Sequence, residues 1–188
     1  MMGIDETNIL RNLENKLIKS VVQQSVADVK LASFLSGGID SSLITTLLSN
    51  NLSRKVNSFT ITFPDDNDNF NEGPIASQTA KILNTNHTEV PITERDVQLL
   101  IPNLNSIYSE PFADSSQVPT HLICREASKS GIKVALTGDG GDELFGGYNR
   151  HLMIPIILKY TSYLPYKLRE KISKALLILP FSHHSLSR

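Results

Sequence analysis

The sequence predicts an α/β domain: a parallel sheet with helices on both faces. Short apolar runs alternate with amphipathic stretches in the order strand, helix, strand, helix, strand, which favours parallel strands joined by helical crossovers. Two of these runs lead directly into glycine-rich loops, Leu31 to Leu35 into Ser36-Gly37-Gly38 and Lys133 to Leu136 into Thr137-Gly138-Asp139-Gly140-Gly141-Asp142-Glu143. With 188 residues, 40% hydrophobic and 20% charged, the chain is long enough for one domain that buries ~70% of its unfolded surface, plus an appendage. The expected division is a core over 1–150, opened by a packing helix within 1–29, and a helical extension over 151–188.

Each element has its own signal. Ile9, Leu10, Leu13, Leu17, Val21, Val22 and Val26 recur at helical steps between Asp5 and about Val29, with Asp5 as N-cap. A helix from Asp40 to about Ser49 carries Leu43, Ile44, Leu47 and Leu48. Val56 to Phe63 alternates Phe59, Ile61 and Phe63 with Thr60 and Thr62 as a second strand, Glu72 to Leu83 crosses over as a helix, and His87 to Val90 is a third strand. Val97, Leu100, Ile101, Leu104 and Tyr108 predict one further helical stripe. After a loop at Glu110 to Gln117, another helix bears Leu122, Ile123 and Ala127, and Lys133 to Leu136 is the fourth strand. Beyond Tyr148 the pattern is helical and expected to break at Pro155, Pro165 and Pro180.

Composition excludes several functions. A net charge of −1 leaves no broad basic face for nucleic acid, and no 18-residue apolar run spans a bilayer. The single cysteine, Cys124, forms neither an internal disulfide nor a zinc cage, so a reducing, cytoplasmic setting is expected, as a packed or neutral thiol. No basic-plus-apolar leader is read from Met1, so secretion is not expected, and the myristoylation-like MGIDET begins at Met2, one residue out of place. The acidic stretch Asp65 to Gly73 fails as a calcium loop, because counting from Asp66 places Phe70 fifth and Asn71 sixth, where a ligand oxygen and a glycine are required.

Two segments carry chemistry. In Ser36-Gly37-Gly38-Ile39-Asp40-Ser41-Ser42, the paired glycines suit a backbone with positive φ whose N–H groups approach an anion at a helix N-terminus. The serines can donate to phosphate oxygens, and Asp40 beside phosphate calls for an intervening cation such as Mg²⁺. The competing reading makes Asp40 a plain N-cap. In the second segment, Asp139, Asp142 and Glu143 crowd three carboxylates into five positions, which suits a metal or acid/base site; alternatively, Asp142 and Glu143 favour the first turn of a helix. Both segments follow strand C-termini, where open parallel sheets bind ligands, so one site assembled from both is expected.

Together, SFLSGGIDSS, NSFTITF, SEPFADSSQVPTHLICREA and ALTGDGGDELFGGYNRH resemble the synthetase domain of the glutamine-hydrolysing asparagine synthetases, from about Val29 to His151. These are ATP pyrophosphatases with an SGGxDSS loop and a Rossmann-like, adenine-nucleotide-hydrolase-like parallel fold. The resemblance implies ATP and Mg²⁺ as cofactors and activation of the aspartate side chain as an acyl-adenylate, with pyrophosphate leaving before ammonia displaces AMP. It places Leu35 and Ile61 along the nucleotide, Thr137 and Gly138 over it, Ser36, Gly37, Gly38, Ser41 and Ser42 on the pyrophosphate, and Asp40 and Asp142 on the metal. Asp139 stands where many members carry a glutamate that acts as base on ammonia, one methylene longer. The family's N-terminal cysteine nucleophile is not matched at Met1-Met2-Gly3, and its distal catalytic lysine has no motif here among Lys159, Lys167, Lys171 and Lys174. A glutaminase domain or subunit in trans is therefore the expected partner, with Ile154, Ile157, Leu158 and Leu176 to Leu179 as candidate contacts. Arg150 is the nearest cation after the second segment, and structural or exposed roles are expected for the histidines. Amidation or cyclisation of another carboxylate, and Mg·ATP binding without turnover, are the alternatives.

Overall fold

The computed structural model describes residues 5–64, 71–110 and 114–178. Most of the acidic stretch, Met2, Pro180, Leu179, His183, His184 and the side chains of Leu176 and Leu177 lie outside what it describes. The chain divides into two compact units, Met1–Asp139 and Gly140–Arg188.

In the first unit, helix α1 (Glu6–Gln24) starts at Asp5, whose carboxylate accepts from the Asn8 amide at 3.3 Å. It ends earlier than the apolar periodicity suggests, because the Ser25 hydroxyl donates to the Val22 carbonyl at 2.8 Å and closes the last turn. Strands β1 (Leu31–Phe34), β2 (Asn57–Thr62), β3 (Asn86–Pro91) and β4 (Val134–Leu136) form one sheet, ordered β3-β2-β1-β4, with every pair parallel. Helix α2 (Ile39–Asn51) links β1 to β2, α3 (Gly73–Ile82) precedes β3, and α6 (Gln117–Lys129) precedes β4.

The central strands β1 and β2 are buried on both faces, as the strand pattern predicts, whereas Val90 is the one buried residue of edge strand β3. Leu31 packs with Val21, Leu47, Leu48, Val56 and Leu136 under α1 and α2, whereas its neighbour Ala32 packs with Phe59, Val90, Ile123 and Ala127 under α6. Successive residues of one strand thus face opposite layers. The stripe from Val97 to Tyr108 is not one helix: α4 (Glu94–Leu100), entered through a reciprocal Thr93–Asp96 capping box, passes into a 3-10 turn at Ile101–Asn103 and a short α5 (Leu104–Ile107). Pro102 lacks the N–H that a continuous helix needs, and Ile101 is left exposed.

In the second unit, α7 (Gly141–Phe145) lies between Gly140 at φ 89° and Gly146 at φ 72°, left-handed positions that favour glycine. The expected break at Pro155 does not occur, since α8 (Asn149–Ser162) runs through it. Proline there removes the hydrogen bond to the His151 carbonyl while the flanking turns continue. Pro165 does separate α8 from α9 (Tyr166–Ile178). Leu152, Met153, Ile154, Ile156, Ile157 and Leu158 are all exposed on α8. Among the described residues, no helix is long and apolar enough to cross a membrane.

Ser33 is buried and His87 half-buried, and each holds a buried polar atom that bears on stability. Ser33, fully buried in β1, shares a 2.7 Å hydrogen bond with Thr45, whose own hydroxyl donates to the Ser41 carbonyl at 2.7 Å, so Ser33 is the donor. Thr45→Val leaves that hydroxyl buried without an acceptor and should lower unfolding stability by ~1–3 kcal/mol in chemical denaturation. His87 bonds the Ser58 hydroxyl through Nδ1 at 2.9 Å, and its Nε2 is buried without a partner. Burial pushes its pKa below 6.5, with Glu89 opposing in part. The unfolded chain therefore binds a proton that the native one resists, so stability should be full above about pH 6.5 and fall as the solution is acidified, a slope that thermal melts of His87→Gln should show reduced.

Candidate functional site

The topology sets two loops side by side. Strand β1 lies between β2 and β4, and strand order reverses there, because β1 continues through α2 to β2 on one side while β4 arrives on the other. Ligands of open parallel sheets bind at this kind of switch point, beyond the strand C-termini. Ser33 of β1 is in register with Leu136 of β4, so the residues leaving both strands emerge together.

The loop after β1 is held from within. The Leu35 amide donates to the Phe59 carbonyl at 2.8 Å, and the Thr60 hydroxyl donates to the Leu35 carbonyl in a short contact. The Ser41 hydroxyl is the hub of the turn: it takes the Ser36 amide at 3.0 Å and lies 2.7 Å from the Ser36 hydroxyl, which in turn accepts from the Gly38 amide at 3.1 Å. Ser41 is buried and serves inside the loop, while Ser36 and Ser42 are half-buried. Leu35 turns its side chain into the core against Ala76 and Ala80. Ile61 packs, half-buried, on β2.

The glycines act differently from the expectation of positive φ. Gly38 is extended, at φ −77° and ψ 158°, and Gly37 is not among the left-handed positions. Gly37 lies in tight packing, since a Cβ there would sit 3.3 Å from the Glu72 Cβ and 3.4 Å from the Ile75 Cβ. Nor is Asp40 the N-cap of α2. That position is Gly38, which has no side chain to cap the helix, and Asp40 lies in the first turn. The α2 N-terminus therefore presents uncapped N–H groups with a carboxylate beside them, a donor set suited to an anion that carries a cation.

The loop after β4 closes against this turn. A Cβ at Gly138 would lie 2.7 Å from the Ser41 amide nitrogen and 2.9 Å from the Asp40 Cβ, so only glycine permits the contact. Thr137 donates to the Asp139 carboxylate at 2.9 Å, which fixes that exposed side chain next to Gly138. The structure thus brings Gly138 to Asp40 and Ser41, with Thr137 and Asp139 on either side of it.

In the second unit, Asp142 and Glu143 occupy the first turn of α7. Glu143 accepts from the Tyr148 hydroxyl in a short contact, which holds its carboxyl below the usual range and raises the phenol. Arg150 lies over the Tyr148 ring at 4.0 Å, and His151 meets the same ring edge-on. Gly147 makes room for Asp142, whose Oδ1 would collide with a Cβ at that glycine. Among the described residues, no group of three or more His, Cys, Asp or Glu side chains could hold a metal ion. Lys174 pairs with Glu170 at 2.7 Å. Cys124 is exposed on α6, not packed, and desolvation raises its pKa and keeps it a neutral thiol.

Sequence reasoning missed two residues of the loop. Thr60 read only as the polar half of an alternating strand, and Glu72 only as a helix start. Yet the Glu72 carboxylate accepts from the Gly37 amide at 3.0 Å. No local pattern announces a contact made across the crossover.

Residues 12–185 match the family model described as Asparagine synthase. The chain is 30% identical over 176 residues to asparagine synthetase (glutamine-hydrolyzing) 1 of Bacillus subtilis, covering 94% of this chain and 27% of that protein. It is 35% identical over 161 residues to a provisionally named asparagine synthetase of Mycobacterium tuberculosis, covering 86% of this chain and 24% of the relative. A similarly named protein of Methanocaldococcus jannaschii is 35% identical over 150 residues, covering 79% and 28%. The chain thus spans about a quarter of the length of these relatives, and the stretch it shares with them contains both glycine loops. By the extent of that match, it belongs to the asparagine synthase family.

Proposed function

We propose that this chain supplies the ATP-using site of a carbon–nitrogen ligase of asparagine synthetase type, activating the aspartate side chain as an acyl-adenylate before amidation by ammonia. The observation that carries this reading is the approach of Gly138 to Asp40 and Ser41, which joins the two motifs at the switch point of the sheet. The uncapped N–H groups of α2 hold the phosphates, with Ser36 and Ser42 beside them, while Asp40 in the same turn is the carboxylate that would face the metal. Mg²⁺, when bound, neutralises charge on the departing pyrophosphate. Ile61 and the main chain at Leu35, whose side chain is buried, line the nucleotide side, and Thr137 with Gly138 covers it. Asp139, oriented by Thr137, handles the proton of the incoming ammonia. Ammonia is supplied by a glutaminase domain or subunit, and the reaction belongs to the cytoplasm.

Two measurements test this. Calorimetry should show Mg²⁺-dependent ATP binding that Asp40→Ala, Gly38→Val and Gly138→Ala each weaken at least ~100-fold, the size of a lost charged contact or a blocked backbone approach. Unchanged affinity in these variants contradicts the site. Pyrophosphate release should require ATP, ammonium salt and a carboxylate, with aspartate the best of a panel. Another best carboxylate assigns a different acceptor, and silence with ATP binding intact assigns binding without turnover.

A further inference from the structure

The glycine loop already holds one anion, and it belongs to the chain. Gly37 donates its N–H to Glu72 Oε2 at 3.0 Å, across 35 residues of sequence. The start of α3 packs tightly on this glycine, with Glu72 Cβ and Ile75 Cβ at 3.3 and 3.4 Å from where a side chain at position 37 would begin. Glu72 sits at the N-cap position of α3 yet makes no capping bond to its own helix. Its carboxylate is turned toward the loop instead. The amides on either side, Ser36 and Gly38, are satisfied by neutral serine hydroxyls, so Gly37 is the one of the three that meets a charge. Glu72 is exposed, and among the described residues no Lys, Arg or His forms an ion pair with it.

We propose that Glu72 is a displaceable internal anion, which keeps the Gly37 amide aimed outward and yields it to a phosphate oxygen of the incoming polyphosphate. The proposal rests on the reading of this loop as a polyphosphate site. A carboxylate and a phosphate oxygen use the same hydrogen-bond chemistry, and two like charges do not share one N–H group. Neutralising the side chain while keeping its shape therefore removes a competitor without removing the acceptor that orders the loop. Glu72→Gln does this, since its amide oxygen still accepts from Gly37.

The test uses magnesium pyrophosphate as the probe, in calorimetry and in amide NMR of the full chain. Pyrophosphate should bind Glu72→Gln about three- to tenfold more tightly than wild type, the difference between displacing a neutral and a charged acceptor. The Gly37 amide resonance should differ between the two free proteins and coincide in their bound states, because Glu72 has left it. Equal or weaker binding by the variant, or a Gly37 resonance that still differs when bound, overturns the displacement and leaves the polyphosphate site standing. If pyrophosphate and Mg·ATP bind neither folded protein, both readings fall.

Discussion

The parallel pairing of β1 with β4 is the constraint on which the site depends. Because Ser33 is in register with Leu136, the chain leaves the two strands at one level of the sheet, and Gly138 closes on Asp40 and Ser41. A register slip of one residue would turn the side chains of β4 to the opposite face and remove Leu136 from the layer it shares with Leu31, Leu47 and Leu48. The packing that fixes the register therefore also fixes the loops. Stability and site geometry are set by the same residues.

A polar relay runs from the middle of the sheet to that loop. Ser33 donates to Thr45, Thr45 to the Ser41 carbonyl, and the Ser41 hydroxyl gathers the turn around Ser36. On the β2 side, Thr60 ties down the Leu35 carbonyl. Small hydroxyl residues recur here because each must fit within a close-packed sheet-helix layer and still satisfy a buried main-chain or hydroxyl group. The turn is tied by its own hydrogen bonds, and the Gly37 amide in it donates to the carboxylate of Glu72. Preorganisation of this kind lowers the ordering cost of binding an anion.

The order of strands and helices was legible in the sequence because apolar periodicity and glycine punctuation agree along the first 139 residues. Asp5 as a cap, the β1-to-glycine-loop junction and the juxtaposition of Gly138 with Asp40 all follow from local chemistry plus the rule for open sheets. The paired glycines differ from the positive φ expected of them: Gly38 is extended and Gly37 is not left-handed, whereas positive φ appears at Gly131, Gly140 and Gly146. Pro102 and Pro155 show the same limit from the other side. One converts a helix to a 3-10 turn and the other is carried inside α8, although an isolated sequence gives both the same meaning. Glu72 was invisible because its partner lies in another crossover, and tertiary contacts of that kind leave no periodic trace.

The central claim is that one anion site is built jointly from the loops after β1 and β4. Amide NMR on the isotopically labelled chain, titrated with Mg²⁺ and a non-hydrolysable ATP analogue, tests it most directly. The account predicts that resonances of residues 36–42 and 137–139 shift together along one saturating curve, while those at the opposite end of the sheet, around Asn57 and Asn86, stay in place. Shifts confined to one of the two loops, or centred on that opposite end, would contradict it.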